Sequence, residues 1–164
     1  MKINIYTDGA CSGNPGKGGY GVLMEWVGTP YVKEFSEGYV LTTNNRMELL
    51  AVIVGLEQLK KENLEVNIYS DSKYVVDAVE KKWLFNWERK GFRDKKNPDL
   101  WKRFLKVYRK HQVRFHWIKG HNDHPQNERC DQLAVKASKK ESLQKDEGFE
   151  NMNSLESQKL DFDE

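Results

Sequence analysis

The 164-residue chain has little cysteine, only Cys11 and Cys130, which is too few for a disulfide framework and lacks the spacing of a zinc site. No apolar run approaches the ~18 residues that a membrane-spanning helix requires, so a transmembrane protein is excluded at this level. The first eight residues run straight into an alternating, strand-like pattern with no apolar leader, so the expectation is a cytoplasmic protein with reduced thiols. There is no internal repeat and little net charge, +2 from 27 basic and 25 acidic side chains. What is present is a core-forming composition. At 38% hydrophobic and 12% aromatic residues, the chain is too apolar to be wholly disordered and long enough for one packed domain.

The small net charge hides an asymmetry. Residues 139–164 carry four lysines against eight acids, whereas residues 81–110 carry twelve Lys or Arg against three acids. Seven aromatics share that basic window: Trp83, Phe85, Trp87, Phe92, Trp101, Phe104 and Tyr108. Lysines interleaved with rings suit a polyanion with stackable bases, with affinity falling as salt rises. The plainer alternative is an amphipathic helical pair with its aromatics in the core and its lysines in solvent.

Periodicity orders the chain. Residues 2–8 alternate as a strand, and 9–21, with six of the twelve glycines, read as a tight turn. Two more strands are expected over 19–27 and 31–42. Asn44 or Asn45 can then cap a helix reaching about Lys61, with Leu49, Leu50, Ile53, Leu56 and Leu59 as its buried stripe. A strand over 66–71, a short helix capped by Ser72, at least one helix in the basic region from about Pro98, a strand over 113–119 and a helix over 126–139 complete the series. This order implies an α/β fold: a mixed five-stranded sheet, formed by a three-strand antiparallel meander plus helical crossovers, with helices on both faces. The expected organisation is a domain over 1–139 and a disordered acidic tail over 140–164.

Four carboxylates stand apart from the surface acids. Asp8 and Asp71 each end a strand, in Tyr6-Thr7-Asp8-Gly9 and Tyr69-Ser70-Asp71-Ser72, and emerge together if those strands are neighbours. Glu48 and Asp131 lie on helices whose i+3 and i+4 positions are small and apolar, Ala51 and Val52 in one case and Ala134 and Val135 in the other. Converging carboxylates are costly unless a cation compensates, and hard oxygen ligands favour Mg²⁺ or Mn²⁺ over zinc. Taken singly, each acid reads better as a helix-start or strand-end carboxylate, or a cap, than as a ligand; their combination with the surrounding motifs reverses that balance.

Four segments resemble, in order, the motifs of the type I ribonucleases H, the bacterial ribonuclease HI group. They are Thr7-Asp8-Gly9-Ala10-Cys11-Ser12-Gly13-Asn14-Pro15-Gly16, Thr42-Thr43-Asn44-Asn45-Arg46-Met47-Glu48-Leu49, Tyr69-Ser70-Asp71-Ser72-Lys73-Tyr74, and Trp117-Ile118-Lys119-Gly120-His121 followed by Asn127-Glu128-Arg129-Cys130-Asp131. The likeness runs from about residue 2 to 138. It implies a monomeric, metal-dependent endonuclease, not attached to a membrane, that cuts the RNA strand of RNA–DNA hybrids and leaves 5′-phosphate and 3′-hydroxyl ends. Asp8, Glu48, Asp71 and Asp131 would hold two Mg²⁺ (or Mn²⁺) ions, with His121 assisting proton transfer or product release.

By the same resemblance, Glu48, Asn14 and the backbone near Cys11 meet RNA 2′-hydroxyls. Thr43, Asn44 and Asn45 lie by the DNA strand, Thr43 in its phosphate pocket, and Tyr74 and Trp83 line the DNA channel. The basic protrusion over about 81–96, with Lys81, Lys82, Arg89, Lys90, Lys95 and Lys96, would supply hybrid affinity. His124 is a second histidine near the catalytic loop, and His111 and His116 read as structural or solvated. Lys73 departs from the glutamine common in bacterial members, and the His121-Asn122-Asp123-His124 loop is more polar than theirs. A catalytically silent hybrid-binding module should have lost a carboxylate, and all four are kept. A DNA nuclease would not need Asn14 and Asn44 in these motifs.

Overall fold

The computed structural model describes residues 1–119 and 124–152. Five strands, β1 (Lys2–Ser12), β2 (Gly16–Trp26), β3 (Val32–Thr42), β4 (Glu65–Ser70) and β5 (Gln112–Trp117), form one sheet in the order β3-β2-β1-β4-β5. The β1–β2 and β2–β3 pairs are antiparallel, and β1–β4 and β4–β5 are parallel. This is the mixed sheet expected from the element order. The five named helices are α1 (Asn44–Glu57), α2 (Lys73–Glu80), α3 (Trp83–Arg89), α4 (Pro98–Tyr108) and α5 (Pro125–Ser138).

Alternation along β1 divides the interior. Ile3 and Ile5 are fully buried with Met47, Ile53, Trp101 and Phe104 in the large core, whereas Tyr6 joins Leu23 and Cys130 in a small second one. α1 packs on β1 and β2 and α4 packs on α1, while α5 packs on β1, β2 and β3. Close approach of α5 depends on glycine. A Cβ at Gly21 would lie 2.2 Å from the Cys130 carbonyl oxygen, and one at Gly38 would lie 2.1 Å from that of Ala137. Residues 9–21 are therefore not a turn throughout: β1 continues to Ser12 and β2 starts at Gly16, with the glycines admitting helix backbone.

Helix starts also differ in detail. Thr43, not Asn44 or Asn45, caps α1: its backbone is extended and its hydroxyl accepts from the Arg46 amide. The helix ends at Glu57, short of Lys61. Ser72 caps α2 as expected, accepting from Val75 N–H. In the basic region the plainer alternative accounts for most of the rings. Phe92, Trp101 and Phe104 are buried and Phe85, Trp87 and Tyr108 are half-buried, leaving Trp83 as the open one.

The expectation of a disordered tail is corrected for residues 140–152. Gln144 bridges to the β3 edge, donating to the Gly38 carbonyl and accepting from Val40 N–H. A helical turn over residues 147–152 follows, with the buried Asp146 accepting from Phe149 N–H at its start. Composition favoured disorder; a buried cation, Arg46, recruits the acid instead. Residues 153–164 lie outside the described part. Among the described residues no helix is long and apolar enough to cross a membrane.

Candidate active site

The parallel β1–β4 pairing ends with Tyr6 beside Tyr69, and the same register two residues on brings Asp8 to Asp71, just past the end of β4. Asp8 does not end its strand as expected: it lies within β1, paired with Gly21 of β2. Glu48 reaches the same point from the first turns of α1, because Gly9 lets the helix backbone approach. A Cβ at Gly9 would lie 2.6 Å from the Glu48 amide nitrogen. One carboxylate oxygen from each of Asp8, Glu48 and Asp71 falls within 4.8 Å of the other two. Asp8 and Glu48 are buried and Asp71 is half-buried. Asp131, half-buried on α5, is not part of this cluster.

Burial, and then the charges of Asp8 and Asp71, push the Glu48 carboxyl well above the usual carboxylate range. Its Oε2 is buried with no hydrogen-bond partner among the described residues. Three hard oxygen donors at this spacing, one of them buried and unsatisfied, fit a divalent cation of the Mg²⁺ class. The supports of the site are local. Trp117 donates its indole N–H to the Asp71 carbonyl, and the fully buried Asn127 at the start of α5 donates to the Thr7 carbonyl. His124 caps α5 through Nδ1, accepting from Asn127 N–H, so its ring nitrogen serves the helix. His121 lies outside the described residues. His111 accepts from Leu64 N–H and His116 pairs with Asn67, which are structural duties.

The remaining predicted residues separate into two groups. Asn14, Thr43, Asn45, Lys95 and Lys96 line one cavity of about 380 Å³, and the Asn14 amide oxygen accepts from Asn44 N–H. Because Thr43 takes the capping duty, the exposed side chains of Asn44 and Asn45 are not needed for it. Outside that lining, Trp83 is 47% exposed with Lys81 Nζ 5.2 Å from its ring centroid, and Lys95, from the cavity group, also sits 5.1 Å over Trp87. Lys82, Arg89 and Lys90 are exposed at the two ends of α3. Tyr74 is held differently from the expectation of an open channel ring. It is half-buried against Trp101, and its hydroxyl accepts from both Asn97 and Trp101. Cys11 and Cys130 are both free thiols, and Cys11 donates towards the Gly16 and Thr42 carbonyls.

The sequence reading did not find the clamp beneath this cavity. Arg46 is 2% exposed, and all five of its N–H donors are used. Nε and Nη2 donate to Asp146, Nη2 and Nη1 to Asp99, and Nη1 also to Asn97, at 2.8–3.2 Å. Thr42 donates to the same Asp146 carboxylate at 2.7 Å. Burial opposes ionisation of Asp99, but hydrogen bonds and charge from Arg46 outweigh it and hold its carboxyl below the usual range. The available signal was an arginine on the inward face of an apolar helix, which requires buried carboxylate partners.

Comparison with known proteins agrees with this geometry. The RNase H family model matches residues 1–139. The ribonuclease H of Desulforamulus reducens is 59% identical over 147 residues, covering 87% of this chain and 91% of that protein. That of Trichodesmium erythraeum is 55% identical, covering 91% and 96%. Among solved structures, LC9-RNase H1, described as a type 1 RNase H with the type 2 active-site motif, superposes with a TM-score of 0.75 at 32% identity, covering 84% of this chain and 72% of that one. LC11-RNase H1, solved in complex with an RNA/DNA hybrid, gives 0.62 at 30% identity, covering 82% and 95%. A carboxylate cluster at the end of a mixed sheet, on a chain matched over this length, places the protein in the ribonuclease H family of hydrolytic nucleases, as a bacterial ribonuclease HI-type enzyme.

Proposed function

We propose that this protein hydrolyses the RNA strand of RNA–DNA hybrids endonucleolytically, leaving 5′-phosphate and 3′-hydroxyl ends, as a monomer in the cytoplasm. The observation that carries the reading is the convergence of Asp8, Glu48 and Asp71 within 4.8 Å where β4 ends beside β1. When bound there, two Mg²⁺ (or Mn²⁺) ions supply a water of lowered pKa and stabilise the departing 3′-oxygen. Asp8, Glu48 and Asp71 would hold them, with Asp131 as the fourth ligand from α5.

The chain's own residues bind and orient. Asn14, the backbone near Cys11 and Glu48 face the RNA 2′-hydroxyls, which distinguish RNA from DNA in the minor groove. Thr43 and the neighbouring Asn44 and Asn45 hold the DNA strand, and the exposed Trp83 with Lys81, Lys82, Arg89, Lys90, Lys95 and Lys96 tracks its backbone. Tyr74 acts here through the Asn97 and Trp101 groups bonded to its hydroxyl. His121 assists proton transfer at the departing oxygen or the release of product.

The test is cleavage of strand-labelled hybrid beside matched DNA–DNA and RNA–RNA duplexes, in Mg²⁺ or EDTA, with Asp8→Asn as control. Cutting of only the hybrid's RNA strand, lost in EDTA and in the variant, is the expected result. Tight hybrid binding with no cutting in Mg²⁺ or Mn²⁺ would replace the enzyme by a binding module.

A further inference from the structure

We infer that the C-terminal segment docked on the sheet, residues 143–152, forms one wall of the DNA-strand groove. Phe149 and Met152 would be the apolar surface on which a deoxyribose of that strand rests. The inference rests on the hybrid reading above and adds to it residues outside every family motif and outside the matched region 1–139.

Three observations carry it. The first is shared space: Phe149 and Met152 line the same cavity of about 380 Å³ as Thr43, Asn45, Lys95 and Lys96. Their place is therefore continuous with the proposed nucleic-acid surface.

The second is rigidity. An acidic segment should drift in solvent, yet this one is tied at two points, by Gln144 on the β3 edge and by Asp146 on Arg46 and Thr42. Gly148 lets the turn lie against the clamp: a Cβ there would be 2.1 Å from a carboxylate oxygen of Asp99 and 2.8 Å from Arg46 Nη2. A wall held this way keeps its side chains in place before ligand arrives, and little ordering cost remains at binding.

The third is chemistry. Met152 is 43% exposed and Phe149 half-exposed, although both belong to a mostly polar segment. Two lysines, Lys95 and Lys96, line the same cavity, while Arg46 is fully committed to its carboxylates and offers nothing to a ligand. A cavity lined by two cations and by a ring plus thioether matches a phosphate next to a sugar. The sugar that matches best is deoxyribose, because its C2′ methylene can lie on carbon. A ribose would bring a 2′-hydroxyl onto the ring and thioether, which offer it no strong hydrogen bond.

The decisive experiment places a photo-crosslinking phenylalanine analogue at position 149 and irradiates the full chain, carrying Asp8→Asn, with hybrid labelled on either strand. Label transfer to the DNA strand is expected; transfer to the RNA strand, or to neither, overturns the inference. In the otherwise native enzyme, Phe149→Ala combined with Met152→Ala should raise KM by about three- to tenfold, the size of two lost apolar contacts, with kcat within about twofold. Phe149→Leu should restore most of the loss. An unchanged KM, or a loss confined to kcat, also overturns it. Crosslinking needs binding and not turnover, so a wild-type protein that cuts nothing defeats the proposed function alone and leaves the groove assignment to the crosslink.

Discussion

At the scale of single residues, the site is expensive to build. Glu48 is carried into a buried position beside Asp8 and Asp71, and burial together with their charges raises its pKa. A carboxyl with a raised folded-state pKa stabilises the fold below the unfolded value, roughly 4.3, and that contribution is lost as pH rises through the folded value. At neutral pH without a cation the cluster therefore works against folding. In EDTA at pH 7, Glu48→Gln should raise Tm, by an amount that shrinks towards zero as the pH is lowered through the carboxylate range. A calorimetric series from pH 3 to 8 checks this; a variant less stable than wild type at pH 7 contradicts the repulsion.

Elements position these residues through backbone contact as much as through side chains. The β1–β4 register sets Asp8 beside Asp71, Gly9 admits the start of α1, and Gly19, Gly21 and Gly38 admit α5. Such glycines look like turn residues in a sequence because their reason lies in another element's carbonyls. Gly21→Ala would press a methyl group to 2.2 Å from the Cys130 carbonyl oxygen and 2.9 Å from Leu133 Cβ. That contact is with backbone, which cannot rotate aside, so the helix must lift. The expected loss is about 1–3 kcal/mol in urea unfolding, with activity falling further because α5 carries Asp131. A variant that matches wild type in both would mean that α5 sits farther from the sheet.

Across the whole molecule, Arg46 joins four parts: α1 carries it, Asn97 and Asp99 come from the start of α4, Asp146 from the C-terminal segment, and Thr42 from β3 completes the acid's bonding. Asp146→Asn removes one charge from a buried pair but leaves Asp99 facing the guanidinium. A cost of about 3 kcal/mol is expected, at the low end for a broken buried pair. Tm should fall by on the order of 6–12 °C for a domain of this size. Asp99 adds a pH signature. Its carboxyl is held below the usual range, so its stabilisation is present above the unfolded value of roughly 3.9 and lost as pH falls through the depressed one. The Tm difference between wild type and Asp99→Asn should thus be full at pH 7 and shrink progressively as pH falls below roughly 3.9 and through the depressed value.

Much of the fold was legible because its causes are local. Alternation in 2–8 and 66–71, the cap at Ser72, Pro98 before an amphipathic run and the apolar stripe of α1 all act within a few residues. The strand-end position of Asp71 followed from the same patterns, whereas Asp8 lies within β1, which runs on to Ser12 beside β2. What stayed hidden depends on partners distant in the chain. Thr43 and not its asparagine neighbours caps α1, Tyr74 gives its hydroxyl to Asn97 and Trp101, and six of the seven rings in the basic stretch turn inward against the core.

By itself, then, the sequence determined the family, the mixed sheet and the three acids that converge, since ordered motifs and short-range periodicity are properties of the chain alone. Only the tertiary structure decided that residues 140–152 belong to the folded body and border the cavity lined by Thr43. The physical reason is that Asp146 is an ordinary surface acid in composition. It becomes a buried anchor only where folding has placed a guanidinium, with two donors to spare, a hundred residues away in the chain.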